Sequence, residues 1–139
     1  MDFALWEKQR EVLKEYVYGK CSTVCLICGV QYGKTYVGAR AFFTKIMTTP
    51  GKGAGRIWWC VAPAFMLGMK QVRELKWLAR ESDLLRSWHE TNRIMTLRTG
   101  DEIHFRTSDD PDELRMESCS GVWWDEAGLD SEATRLILM

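Results

Sequence analysis

The chain has 139 residues, enough for one ordinary domain, with 46% apolar residues, 12% aromatics and seven tryptophans. That composition excludes intrinsic disorder, and no run of eighteen apolar residues is present to form a membrane-spanning helix. The formal net charge is zero, yet residues 1–100 hold 16 basic and 8 acidic residues while residues 101–139 hold 3 basic and 11 acidic, a division of +8 against −8.

In chain order, Leu5, Gln9, Val12, Leu13, Tyr16 and Val17 fall at helical spacing, which predicts an amphipathic helix over 3–18 ending before Gly19. Residues 23–28 are apolar and β-branched and predict a buried strand. Gly29 to Gly33 form a loop, and a helix follows from Lys34 to about Thr48, stopped by Thr49-Pro50-Gly51. Residues 51–55, with three glycines, predict a flexible loop, and residues 56–62 a second buried strand closed by Pro63. Residues 65–80 read as a helix with Met66, Met69, Val72 and Trp77 as its core stripe. Residues 93–98 and 102–107 flank Thr99-Gly100-Asp101, a hairpin signal, and 108–113 form an acidic turn. Residues 121–124 predict a third short buried strand. A helix starts at Ser131 and is still running at Met139, which reads as a piece of a longer protein. Strands alternating with helices predict an α/β fold with a largely parallel central sheet flanked by helices.

Five cysteines stand at 21, 25, 28, 60 and 119. The odd number and the absence of a signal-peptide pattern point to reduced thiols in a cytosol-like compartment. Cys21, Cys25 and Cys28 have a spacing seen in some iron–sulfur sites. On a strand, however, Cys25 and Cys28 point to opposite faces, so they are read as buried structural thiols.

The segment Gly29-Val30-Gln31-Tyr32-Gly33-Lys34-Thr35 lies between a predicted buried strand and a predicted helix, the context a phosphate-binding loop requires. Backbone N–H groups of such a loop and the helix dipole hold an anion. Gly33 lets the backbone approach the phosphates, Lys34 reaches the β- and γ-phosphates, and the Thr35 hydroxyl coordinates magnesium. The usual pattern begins with glycine where this chain has Cys28, one residue before Gly29. Phosphoryl transfer also needs a carboxylate on magnesium and a group that orients water. Asp125 and Glu126, directly after the apolar run 121–124, are the candidates: Asp125 for the metal, Glu126 for the attacking water. The pair would account for the charge division, a basic phosphate-binding half meeting an acidic metal-binding segment.

Taken together, these segments resemble the ATPase domain of the large terminase subunit, the DNA-packaging motor of tailed bacteriophages. Trp6-Glu7-Lys8-Gln9 is similar to that family's glutamine motif, which contacts adenine, and Cys28 to Thr35 to its phosphate loop. Val61-Ala62-Pro63, the segment 99–105 and Val122 to Ala127 follow in the family's order and spacing, so the likeness spans nearly all of 1–139. The resemblance implies an ASCE-type P-loop NTPase fold, incomplete at the C-terminus. Residues 1–20 would be the glutamine-motif helix and 21–139 the nucleotide-binding core up to the acidic strand. It implies hydrolysis of ATP with Mg2+ and translocation of double-stranded DNA into a procapsid. The implied partners are the terminase small subunit and the portal, in a homo-oligomeric ring in the host cytoplasm, away from any membrane. It implies ATP contacts at Gln9 and at Gly29, Val30, Gln31, Tyr32, Gly33, Lys34 and Thr35, with magnesium on Thr35 and Asp125 and catalysis by Lys34, Glu126 and an arginine finger. The family's in-loop arginine position is Val30 here, so Arg115, after Leu114, is the finger candidate. Equally, Arg115 could pair with Asp112 or Glu117; Arg56 and Arg73 are weaker candidates. The family's coupling motif and nuclease domain would follow Met139.

Two other readings compete. A helicase-like ATPase also combines a glutamine motif with an Asp-Glu-Ala box, but Gly128 follows Asp125-Glu126-Ala127 here in place of Asp or His. A non-catalytic nucleotide-binding module would have no use for Glu126. Trp58, Trp59, Trp123 and Trp124 lie in apolar strands and read as core rather than as stacking platforms for single strands.

Overall fold

The computed structural model describes residues 5–20, 24–25, 33–51, 53–109, 114 and 118–126. They belong to two compact units, residues 1–50 and 51–139.

In the first unit, α1 (Glu7–Tyr18) packs against α2 (Lys34–Thr48). Val37, Ala39, Ala41, Phe42, Phe43 and Ile46 of α2 are all buried, and burial of each phenylalanine contributes about 1.5–3 kcal/mol. The helix ends where the Thr49 N–H bonds to the Lys45 carbonyl, because Pro50 has no N–H to continue the ladder. Lys45 ties the pair together: its ammonium donates to the Tyr16 carbonyl at 3.3 Å and lies 5.7 Å from the centre of the Tyr16 ring. In α1, Gln9 and Val17 are buried, Val12, Leu13 and Tyr16 are half-buried, and Leu5 is buried just ahead of the helix. Of the predicted strand 23–28 only Val24 and Cys25 are described; neither is in a strand and Cys25 is exposed. The expectation of a buried thiol therefore fails at Cys25, since no neighbouring strand among the described residues covers it.

The second unit is a five-stranded sheet in the order β2-β3-β4-β1-β5. Its strands are β1 (Ile57–Ala62), β2 (Leu85–His89), β3 (Ile94–Leu97), β4 (Glu102–Thr107) and β5 (Gly121–Trp124), with α3 (Phe65–Glu81) between β1 and β2 in the chain. The fold is α/β as expected, but the sheet is mixed rather than largely parallel. β1 runs parallel to β4 and β5, whereas β2, β3 and β4 form an antiparallel meander. The hairpin signal at 99–101 accounts for half of that meander; β2 was not foreseen.

β1 is buried on both faces, as its unbroken apolar run requires. Trp59 and Val61 pack with Leu114 on one side, edged by Val122 and Trp124 of β5, while the Ala62 side chain faces Gly68 of α3 on the other. Trp58 and Trp59 are core residues, and Trp123 and Trp124 are half-buried. Gly121 opens β5 because a Cβ there would stand 2.7 Å from the Trp58 ring. α3 spans the predicted segment but turns a different face inward. Gln71, Val72, Leu75, Leu78 and Ala79 are buried; of the predicted stripe only Val72 is, while Met66, Met69 and Trp77 are exposed.

One buried ion pair locks the sheet's entry. The Asp101 carboxylate accepts from Arg56 Nε at 2.7 Å, Arg56 Nη2 at 3.2 Å, Trp58 Nε1 at 3.1 Å and the Thr99 hydroxyl at 2.6 Å. Burial alone would push this carboxyl up, but the hydrogen bonds from Arg56, Thr99 and Trp58 outweigh it and hold its pKa below the ordinary value. The Gly53 N–H bonds to the Thr99 carbonyl at 2.9 Å, so the glycine loop is tied to this turn. Among the described residues, no helix is long and apolar enough to cross a membrane.

Candidate functional site

Of the expected phosphate loop, Gly33, Lys34 and Thr35 are described; Gly29, Val30, Gln31 and Tyr32 lie outside the described residues. Gly33 is the N-cap of α2, with φ 81° and ψ 32°, the left-handed region in which a side chain is strained. Its carbonyl accepts the first intrahelical bond, from Val37 N–H at 2.9 Å. Lys34 and Thr35 form the first turn of the helix, where N–H groups and the dipole favour negative charge and no acidic residue intervenes.

Gln9 comes from α1 to the same place. Its Oε1 accepts the Trp6 N–H at 3.1 Å, closing the first turn of α1, and the side chain is only 4% exposed. Its Nε2 lies 2.9 Å from where a Cβ on Gly33 would be. The first unit thus brings together a buried glutamine, a left-handed glycine and the N-terminus of a 15-residue helix. The missing Cβ at Gly33 is what lets the Gln9 amide come this close to the start of the helix.

The second unit gathers different chemistry at one edge of the sheet. β1, β4 and β5 are parallel, so Ala62, Thr107 and Asp125 all fall at their carboxyl ends, the edge where open α/β sheets bind ligands. The Asp125 N–H continues the ladder to the Val61 carbonyl at 2.9 Å, fixing the residue at the strand's end. Its Oδ1 accepts the Glu126 N–H at 3.1 Å. Glu126 is exposed and has φ 54°, so the chain leaves the strand sharply there and the two acids do not continue its pleat. Asp125 is also felt below: burial first, and then the Asp125 charge, push the Cys60 thiol well above its ordinary pKa.

Thr35 and Asp125, the expected magnesium ligands, are both hard oxygen donors suited to that ion, although they belong to different units. Among the described residues no three histidine, cysteine, aspartate or glutamate side chains form a metal cluster. Arg115, Asp112 and Glu117, as well as the rest of the 110–113 turn, Ala127, Gly128 and the helix from Ser131, lie outside the described residues. Leu114, next to Arg115, is buried against Trp59 and Val61. Arg56, a weaker finger candidate, is committed to Asp101 instead.

Sequence reasoning missed two features of the second unit. Asp101 was read only as a turn residue; its partner Arg56 is 45 positions away, and only the parallel pairing of β1 with β4 brings the two together. The alternation Glu102-Ile103-His104-Phe105-Arg106 places three polar side chains on one face of β4; His104 Nε2 lies 2.9 Å from Glu102 Oε2, and Arg106 Nη2 lies 3.0 Å from His104 Nδ1. The chain matches no protein-family model and no curated sequence.

Proposed function

We propose that the chain is the ATP-hydrolysing motor domain of a DNA-packaging terminase large subunit, built on a P-loop NTPase fold of the ASCE type. The observation that carries this reading is the packing of Gln9 against Gly33 at the N-terminus of α2. The glutamine and the glycine are 24 positions apart, and the resemblance assigns both to one nucleotide. Supporting it, Asp125 and Glu126 end a strand that pairs in parallel with β1, at the edge where an ATPase of this kind carries its metal-binding and water-orienting acids.

In this reading Lys34 and the α2 N-terminus bind the ATP phosphates, Thr35 and Asp125 hold Mg2+, and Glu126 orients the attacking water. Mg2+ supplies charge neutralisation at the β- and γ-phosphates when bound. Arg115 of a neighbouring subunit in a ring completes the site, and double-stranded DNA, the small subunit and the portal are the partners. Glu126→Gln separates this reading from a module that only binds nucleotide. It should leave ATP affinity within about twofold and lower hydrolysis at least about a hundredfold, the range for loss of a positioned base. Unchanged hydrolysis would remove Glu126 from the chemistry and the motor reading with it.

A further inference from the structure

An open groove of about 540 Å³ lies on the second unit where β3 and β4 meet the turn that follows β2. Arg93, His104, Arg106, Thr107 and Asn92 line it, and no acidic residue does, although residues 101–139 carry 11 acids and 3 bases.

Both arginines are held in place before any ligand arrives. Arg93 has φ 54°, its carbonyl accepts the Phe105 N–H at 3.0 Å, and its guanidinium lies 3.6 Å from the centre of the Phe65 ring. Arg106 is oriented by His104. The Glu102 carboxylate can only accept, so His104 Nε2 carries the hydrogen toward it and Nδ1 is left to accept from Arg106 Nη2. Two acids stand beside the groove, each tied to a lining residue: Glu102 to His104, and Asp109 to the Thr107 hydroxyl. Two pre-ordered guanidinium groups, with the Asn92 amide also lining the groove, suit tetrahedral oxyanions. The groove has room for more than one such group, and Phe105 is 5% exposed, so no aromatic face is offered to a base.

We propose that this groove binds consecutive backbone phosphates of a polynucleotide, with Arg93 and Arg106 as the two charge contacts. The choice of a polynucleotide as ligand rests on the motor reading; the anion groove stands on the second unit alone. Contacts of this kind position a strand without reading its bases.

The test is the affinity of the chain for a short labelled DNA duplex over a series of salt concentrations, without ATP. Arg93→Gln and Arg106→Gln should each weaken binding roughly tenfold and lower the slope of log K against log salt by about one. Arg80→Gln, the same charge change at an exposed position of α3, should do neither. Equal losses in all three variants, or none in the groove variants, would overturn the proposal. A second measurement needs no variant: bound duplex should protect Arg93 and Arg106 of the unaltered chain from an arginine-specific dicarbonyl reagent. Modification of both arginines at the same rate with and without duplex would overturn the proposal. Protection by inorganic phosphate equal to that by duplex would assign the groove to free phosphate and overturn the polynucleotide. Separate ATP titration of the unaltered chain keeps the two failures apart. A chain that binds duplex through Arg93 and Arg106 but no ATP loses the motor reading and keeps the groove; one that binds ATP but is indifferent to both arginines loses the groove alone.

Discussion

Gly33→Ala tests the junction of α1 and α2 most sharply, because its effect has two separable parts. An alanine at φ 81° enters the left-handed region at about 1–2 kcal/mol. Its Cβ would also stand 2.9 Å from Gln9 Nε2, so the glutamine must move. Gln9 is 4% exposed and its Oε1 accepts the Trp6 N–H, so moving it breaks a bond with a net contribution of about 0.5–1.5 kcal/mol. The expected loss of stability is therefore roughly 2–3 kcal/mol. In a Gln9→Ala background the clash and the capping bond are already gone, and only the backbone strain remains. The two substitutions should then be non-additive by about 1 kcal/mol, measured by urea unfolding of the four proteins of the double-mutant cycle. Additivity within about 0.3–0.5 kcal/mol would mean that Gln9 does not bear on Gly33, and the proposed nucleotide site would lose its main support.

Three further outcomes follow from the packing. Asp101→Asn leaves the Arg56 guanidinium buried without its counter-charge and should destabilise the second unit by about 3–5 kcal/mol in denaturant titration. Because the folded-state pKa of Asp101 is lowered, its contribution is complete above the unfolded carboxylate pKa near 4 and fades as pH falls toward the folded value; Asp101→Asn should flatten that acid limb, and an unchanged limb would refute the assignment. Cys25 should react with a maleimide in the folded protein far faster than Cys60, which burial and Asp125 keep as a thiol; labelling of both at similar rates, read by mass spectrometry, would contradict the burial of β1. Leu75→Ala should destabilise by about 2–5 kcal/mol while Trp77→Ala stays within about 0.5 kcal/mol, and the reverse order would restore the stripe expected from sequence.

The sequence made α2 legible to the residue because its stops are chemical: Gly33 at one end and Thr49-Pro50 at the other. β1, β5 and the 99–101 turn were legible for the same kind of reason, continuous apolar runs and a Thr-Gly-Asp signal. The inner face of α3 was not, because Met66, Met69 and Trp77 compete with Leu75, Leu78 and Ala79 for the same periodicity, and only tertiary contact with β1, β2 and β4 decides between them. A buried Gln71 also defied the pattern; its Nε2 donates to the Trp123 carbonyl at 3.4 Å. β2 has no apolar alternation: Leu-Arg-Ser-Trp-His is an edge strand with a register shift in its ladder to β3, and of its side chains Trp88 packs edge-on against Phe105 at 5.5 Å. That missed strand is also why the sheet was expected to be parallel. For the candidate site, the residue types were legible at Gln9, Gly33, Lys34, Thr35, Asp125 and Glu126, because each follows or precedes a strong element boundary. The Arg93–His104–Arg106 groove was not, because it depends on register between β3 and β4 and on a left-handed turn that sequence spacing does not reveal.

The most direct measurement is the affinity of the chain for a fluorescent ATP analogue, with and without Mg2+, beside that of Lys34→Ala. Saturable binding that is strengthened by Mg2+ and falls at least tenfold in Lys34→Ala, with the helical signal of the variant intact, is the predicted result; removal of one charge-assisted phosphate contact, at about 1.5–3 kcal/mol, sets that size. Equal affinity in the two proteins would contradict a phosphate-binding loop at Gly33-Lys34-Thr35, and with it the ATPase.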